Sequence, residues 1–219
     1  MDKETLLQLY IDIESNTFRT DKIKKLDELI TNIRQSGFTL SLADTLSIVE
    51  HLTQNNITIR HPLFLHVIYP VLTKAIDQEN IDAIKSLLHL VDYFGGYYKL
   101  IKDNRFLKWG LLTKGLQLKP DDHELLTRYE KEQRDYFEYT LHELPSGVLY
   151  ENNGASIPQC EELLNEISEY EKVCKKLQID QQELIDECKF YYTSHKDYLA
   201  SHKNYKGFSG YLELHDKYK

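Results

Sequence analysis

"SIPQCEELLNEISEYEKVCKKL", residues 156–177, decides the fold class. Ser156 is followed three residues later by Gln159. That is a capping box, in which each of the two side chains satisfies a backbone N–H that the first helical turn leaves unpaired. Pro158 suits the first turn, where its missing donor costs nothing. Cys160, Leu163, Leu164, Ile167, Tyr170, Cys174 and Leu177 then recur at heptad-like spacings of mostly three and four, one apolar stripe along a long helix.

The same signals run outward in both directions. Asp180 and Glu183 open a further long helix carrying Leu184, Ile185, Cys188 and Tyr192. Upstream, Pro120, Asp121 and Asp122 open one with Leu125, Leu126, Tyr129, Tyr136, Phe137 and Leu141 inward, and a shorter helix is expected over about 104–117. Nearer the N-terminus, residues 20–37 place Ile23, Leu26, Leu29, Ile30 and Ile33 on one stripe and stop at Gly37. Ser41 and Asp44 cap the next helix, with Leu42, Leu46, Val49 and Leu52 inside. "HPLFLHVIYPVLTKAI", residues 61–76, starts with Pro62 and should kink or split at Pro70. Asn80 through Val91 forms another helix, ending at Gly95–Gly96. A short extended piece at "NITIR", residues 56–60, is the one exception. The expectation is an all-α protein, either an irregular helical bundle or a short solenoid of antiparallel helix pairs, with about eight or nine helices.

Composition agrees. Nine Gly and five Pro in 219 residues are few helix breakers against average usage of about 12%. Sixteen Tyr against one Met and one Trp favour half-buried helix contacts, because Tyr joins an apolar face to a polar tip. The N-terminus lacks the layout of a signal peptide. The most apolar run, residues 62–72, has 11 residues, well short of the ~20 that span a bilayer. Cys160, Cys174 and Cys188 are spaced 14 and 14, which returns each to nearly the same helix face, and they lack zinc-site pairing. They read as reduced core residues of a soluble, cytoplasmic protein with no membrane partner.

Charge divides the chain. Residues 1–118 carry 14 basic and 14 acidic side chains, residues 119–188 carry 7 and 18, and residues 189–219 carry 6 and 3. The middle segment therefore holds −11 of a net −8. We expect an N-terminal helical half, 1–118, and a C-terminal half of long helices, 119–219, packed as one continuous unit.

"KGLQLKPDDHELL", residues 114–126, resembles the junction between two tetratricopeptide repeats, where an apolar helix end meets a Pro-led turn. Trp109 and Leu112 match a Trp-x2-Leu spacing, with Thr113 where the family carries Gly. The resemblance covers 13 of 219 residues and has no second copy. It implies a scaffold of helix pairs that binds peptides or proteins.

Three constellations could carry function. The loop "HELPSGVLYENNGASIPQC", residues 142–160, pairs His142 with Glu143, but position 146 is Ser, so the HExxH metal motif fails. It reads as a connector with Val148, Leu149 and Tyr150 as an anchor and contact patch. Tyr191, His195, Tyr198, His202 and Tyr205 share one face of the C-terminal helix, near Lys189, Lys196, Lys203 and Lys206. Such a face could stack on single-stranded nucleic acid, but packing on the acidic helices is the favoured expectation. Histidines seven apart lie about 10 Å apart, too far to share a metal.

The third constellation is acidic: Glu161, Glu162, Glu166 and Glu169 after the loop, and Glu124, Glu130, Glu132, Asp135 and Glu138 before it. Antiparallel helices would merge them into one negative surface, which repels nucleic acid and attracts basic proteins. No catalytic, metal-binding or cofactor-binding spacing is present. The expected function is non-enzymatic: an acidic immunity or inhibitor protein covering the basic site of a toxin or nuclease. The alternative is a tetratricopeptide-like adaptor or regulator holding a peptide in a helical groove. A nucleic-acid-binding factor using the basic aromatic C-terminus ranks third.

Overall fold

The structure, a computed structural model, describes residues 1–93, 101–143, 156–201 and 205–215. Of these, 81% are helical and none lies in a strand. The chain divides into two compact units, Met1–Pro120 and Asp121–Lys219.

The first unit begins with α1 (Lys3–Glu14), capped by Asp2, which accepts from Thr5 N at 2.8 Å. α2 (Arg19–Ser36) ends on Gly37 at φ 66°, a conformation that only glycine adopts without strain. α3 (Leu42–Gln54) carries the expected Ser41–Asp44 box, with both side chains joined at 2.6 Å. α4 (His61–Leu63), a π-helical turn (Phe64–Ile68) and α5 (Tyr69–Asp77) run on as one helix. Pro70 explains the π turn. It has no N–H for the α ladder, and its ring crowds the carbonyl four residues back, so the preceding turn widens.

α6 (Ile81–Tyr93) starts where Asn80 accepts from Ala83 N at 2.9 Å. Where one short helix was expected over 104–117, a 3-10 turn (Asn104–Phe106) and α7 (Lys108–Leu118) are separated by extended Leu107. Counting the bent α4–α5 run once, the described residues hold ten helices, slightly more than eight or nine. The unit's core includes Leu52, Phe64, Ile68, Leu72, Ile84, Leu87, Leu111 and Leu112.

"NITIR" forms no strand. Its backbone is held instead by the buried Tyr10, whose hydroxyl donates to Thr58 O and accepts from Arg60 N, both at 2.7 Å. Arg60 then forks onto Glu14 at 2.9 and 3.0 Å.

The second unit holds α8 (His123–Glu143), α9 (Ile157–Leu177), α10 (Gln182–Ala200) and α11 (Gly207–Leu214). α9 begins with the Ser156 half of the expected box: Ser156 Oγ accepts from Gln159 N at 3.4 Å, while the Gln159 side chain accepts from the Ser156 hydroxyl at 3.0 Å. α8 and α9 are antiparallel, since Asp121 meets Lys176 at one end and Phe137 meets Tyr170 further along. α9 and α10 are antiparallel too: Glu171 contacts Lys189, and Glu161 lies 3.6 Å from Lys196. Between them pack Phe137, Ile167, Tyr170, Ile185 and Tyr192 with Cys174 and Cys188. All three cysteines are buried free thiols. The cap of α10 lies one residue beyond the expected Asp180: Gln181 occupies it, and Asp180 accepts from Gln182 N at 3.1 Å.

Candidate interaction surface

The acidic side chains of the second unit fall into three groups. Some are spent on neighbouring cations. Glu161 faces Lys196, Glu169 lies 2.6 Å from Lys172, and Glu171 sits between Lys175 and Lys189. Those two ammonium groups hold the Glu171 carboxyl down at about 2. Glu124 lies 3.4 Å from Arg128, and Asp135 is exposed 4.0 Å from Arg134.

Glu130 forms the second group alone and departs from the expected surface. It is 3% exposed, accepts from Tyr170 Oη at 3.0 Å and lies 3.4 Å from Arg134 Nη1. The helical phase of α8 turns it inward with Leu126, Gln133 and Phe137. It braces the interior and belongs to no docking face.

The third group is exposed and, among the described residues, pairs with no cation; it includes Glu138, Glu162, Glu166, Asp180, Glu183 and Glu187. Glu162 and Glu166 stand one turn apart on α9. Partial loss of water, then the neighbouring Glu162 charge, raises the Glu166 carboxyl above its ordinary value. Across from them, burial and then the charges of Glu166 and Glu169 raise the Tyr129 phenol, although its bond to Gln133 opposes the shift.

Glu138, Glu183 and Glu187 converge with Asp180 on a groove of about 670 Å³ between the end of α8 and the start of α10. The apolar side chains of Leu141 and Leu184 also line it, as does His142. Reasoning from sequence found Glu138 and missed Asp180, Glu183 and Glu187. Glu183 and Glu187 are i, i+4 neighbours on α10, a signal that they share a face, and Asp180 lies just before the Gln181 cap.

The remaining candidates are placed as follows. Val148, Leu149 and Tyr150 lie outside the described residues, as do His202 and Lys203. The Tyr/His face is not one helix, since α10 ends at Ala200 and Tyr205 lies before α11, and it turns inward: His195 is 3% exposed, and Tyr198 and Tyr205 pack on rings of α11. Cys160 Sγ lies 3.7 Å from His195 Nδ1. Burial, the larger influence, raises this thiol while nearby Lys196 lowers it, and burial depresses the imidazole. Thiol and imidazole both stay neutral, the opposite of an activated nucleophile. No group of three His, Cys, Asp or Glu suited to a metal occurs among the described residues. No helix among them is long and apolar enough to cross a membrane.

In the first unit, Trp109 is 43% exposed beside a groove of about 480 Å³ that Phe106, Thr113 and Lys114 also line. The stretch 114–126 covers the end of α7 and the start of α8, which fall in different units. Comparison with protein-family models, curated proteins and solved structures gives no match.

Proposed function

We propose that the chain is a non-enzymatic protein that binds a basic protein partner through the acidic face of its second unit. One observation carries this: Glu138, Asp180, Glu183 and Glu187 gather on one groove, and no cation pairs with them among the described residues. Like charges held together without counter-ions destabilise a fold slightly, and a cationic partner relieves that cost while gaining speed of encounter and orientation. The concrete form is an immunity or inhibitor protein covering the cationic site of a toxin or nuclease. Three buried free thiols suit a reducing compartment, and we place the protein in the cytoplasm. Nucleic acid is repelled by the same field.

The groove beside Trp109 supports a second reading, an adaptor that holds a peptide against α7. Reversing Glu138, Glu183 and Glu187 to Lys, and separately Trp109→Ala, tests the two readings. Loss of partner capture with the first variant alone supports the acidic face. Loss with the second alone supports the adaptor.

A further inference from the structure

α11 is the shortest helix of its unit, eight residues, and rings hold it down. Phe208, Tyr211 and Leu212 are its buried side chains. Under them lies His195 of α10, 3% exposed, edge-on to Phe208 at 4.9 Å and tilted against Tyr198 at 5.8 Å. The contact surface continues through Tyr205, which meets Tyr211 at 5.0 Å.

The surroundings of His195 suit an uncharged ring. From α9 it faces the Cys160 thiol, and the next residue, Glu161, is engaged by Lys196. From α10 come the phenol of Tyr198, the Lys196 ammonium one residue on and, a turn back, the Tyr192 phenol bonded to Thr140 of α8. From α11 comes Phe208, and beyond Tyr198 lie the Tyr211 ring at 5.8 Å from it and His215, whose Nδ1 is 2.8 Å from Tyr211 O. No carboxylate touches the His195 ring among the described residues. An imidazolium there would carry a full charge and two donors, and among the described residues the weak acceptor sulfur of Cys160 is what meets them. Burial alone already holds its pKa below the ordinary imidazole value.

Protonation must therefore be relieved by letting water in. Parting α9 from α10 would open the shared core of Ile167, Tyr170, Ile185 and Cys188. Lifting α11 would expose three side chains. We propose that α11 is a pH-sensitive latch: acidification protonates His195, lifts α11 from α10 and uncovers the ring face of His195 and Tyr198.

The sign follows from linkage. The lifted form titrates as an ordinary imidazole, near about 6.5, whereas the docked form resists the proton. The His195 contribution to docking is fully present above that pH. As pH falls below it, the ratio of lifted to docked molecules rises by up to about tenfold per unit, until the docked-state pKa is reached.

Hydrogen exchange of the full chain between about pH 7.5 and 5, corrected for the intrinsic rate, tests this. Opening of residues 207–214 should rise by up to tenfold per unit below pH 6.5, while residues 163–174 stay protected. His195→Phe should flatten that response, and His215→Gln should leave it intact. Should His195→Phe fail to fold, an NMR titration of the His195 ring in the unaltered protein decides instead. A midpoint below the ordinary range, coinciding with loss of α11 protection, is expected. Protonation with α11 still protected, α11 opening only with the whole unit, or the same response in His195→Phe would overturn the latch.

Discussion

The phenol of Tyr170 donates to the Glu130 carboxylate at 3.0 Å inside the second unit, which takes one acidic residue out of a segment whose charge otherwise faces water. The contact separates two roles that the sequence presents as one. Glu130→Ala leaves the buried Tyr170 hydroxyl without its carboxylate acceptor and leaves Arg134 only the more distant Asp135, at 4.0 Å. An unsatisfied buried polar group costs about 1–3 kcal/mol. Denaturant unfolding should show a loss of that size, and association with a basic partner should keep its rate once the protein is folded. Loss of association with full stability would return Glu130 to the surface.

Gly110 sits in the first part of α7 against the 3-10 turn. A Cβ there would lie 2.6 Å from Asn104 O and 2.7 Å from Arg105 O, both backbone atoms that cannot swing aside. Gly110→Ala should therefore destabilise by about 1–3 kcal/mol, the usual range for overpacking, despite the better helix propensity of Ala. Thermal melting would show it; an unchanged or raised midpoint would mean that the turn shifts freely.

Three helices are followed, one or two positions past their last residue, by a non-glycine residue in the left-handed region: Asn56 at φ 54°, Glu79 at φ 64° and Gln178 at φ 57°. That conformation costs an L-residue roughly 1–2 kcal/mol, and glycine recovers most of it, less its greater chain entropy. Gln178→Gly and Glu79→Gly should each stabilise by about 0.5–1 kcal/mol, and Asn56→Gly by less, because Asn tolerates this region. Equal or opposite effects across the three would contradict the strain.

Glu171 gives the acid limb of stability. Its carboxyl is held at about 2 by Lys175 and Lys189, below the unfolded-state value of 4.5. A depressed carboxylate pKa contributes stability that is complete above about 4.5 and lost as pH falls towards 2. The melting temperature of Glu171→Gln should lie below that of the unaltered chain at neutral pH, and the two should converge on acidification. A difference that persists at pH 2 would point to packing in place of charge.

Much of the fold was legible because local signals agreed with the tertiary outcome. The Ser156–Gln159 and Ser41–Asp44 pairs, the stop at Gly37 and the stripe from Cys160 to Cys174 all appear where sequence placed them. Missed features depend on partners distant in sequence. Leu107 interrupts a helical pattern because the backbone must pass close to Gly110. Stops at Glu79 and Gln178 carry no glycine to announce them. Acidic residues show the same limit: Glu161 to Glu169 are exposed as their phase on α9 implies, whereas Glu130 turns inward to a tyrosine 40 residues away. Convergence of Glu138 with Asp180, Glu183 and Glu187 follows from how α8 and α10 meet, which composition does not encode.

The central claim is that uncompensated carboxylates of the second unit steer a basic partner. The most direct measurement captures the partner with the full chain and follows association by stopped flow at low and high salt. The comparison is between the unaltered protein and a variant with Glu138, Glu183 and Glu187 changed to Lys. Steered association runs well above the about 10⁵–10⁶ M⁻¹s⁻¹ of neutral encounters and slows steeply with salt. The expected result is a partner with a strongly positive patch, an on-rate that falls as salt rises, and a slower, less salt-sensitive on-rate in the variant at unchanged helix content. An identical on-rate for both proteins at low salt would contradict the claim and favour the groove beside Trp109.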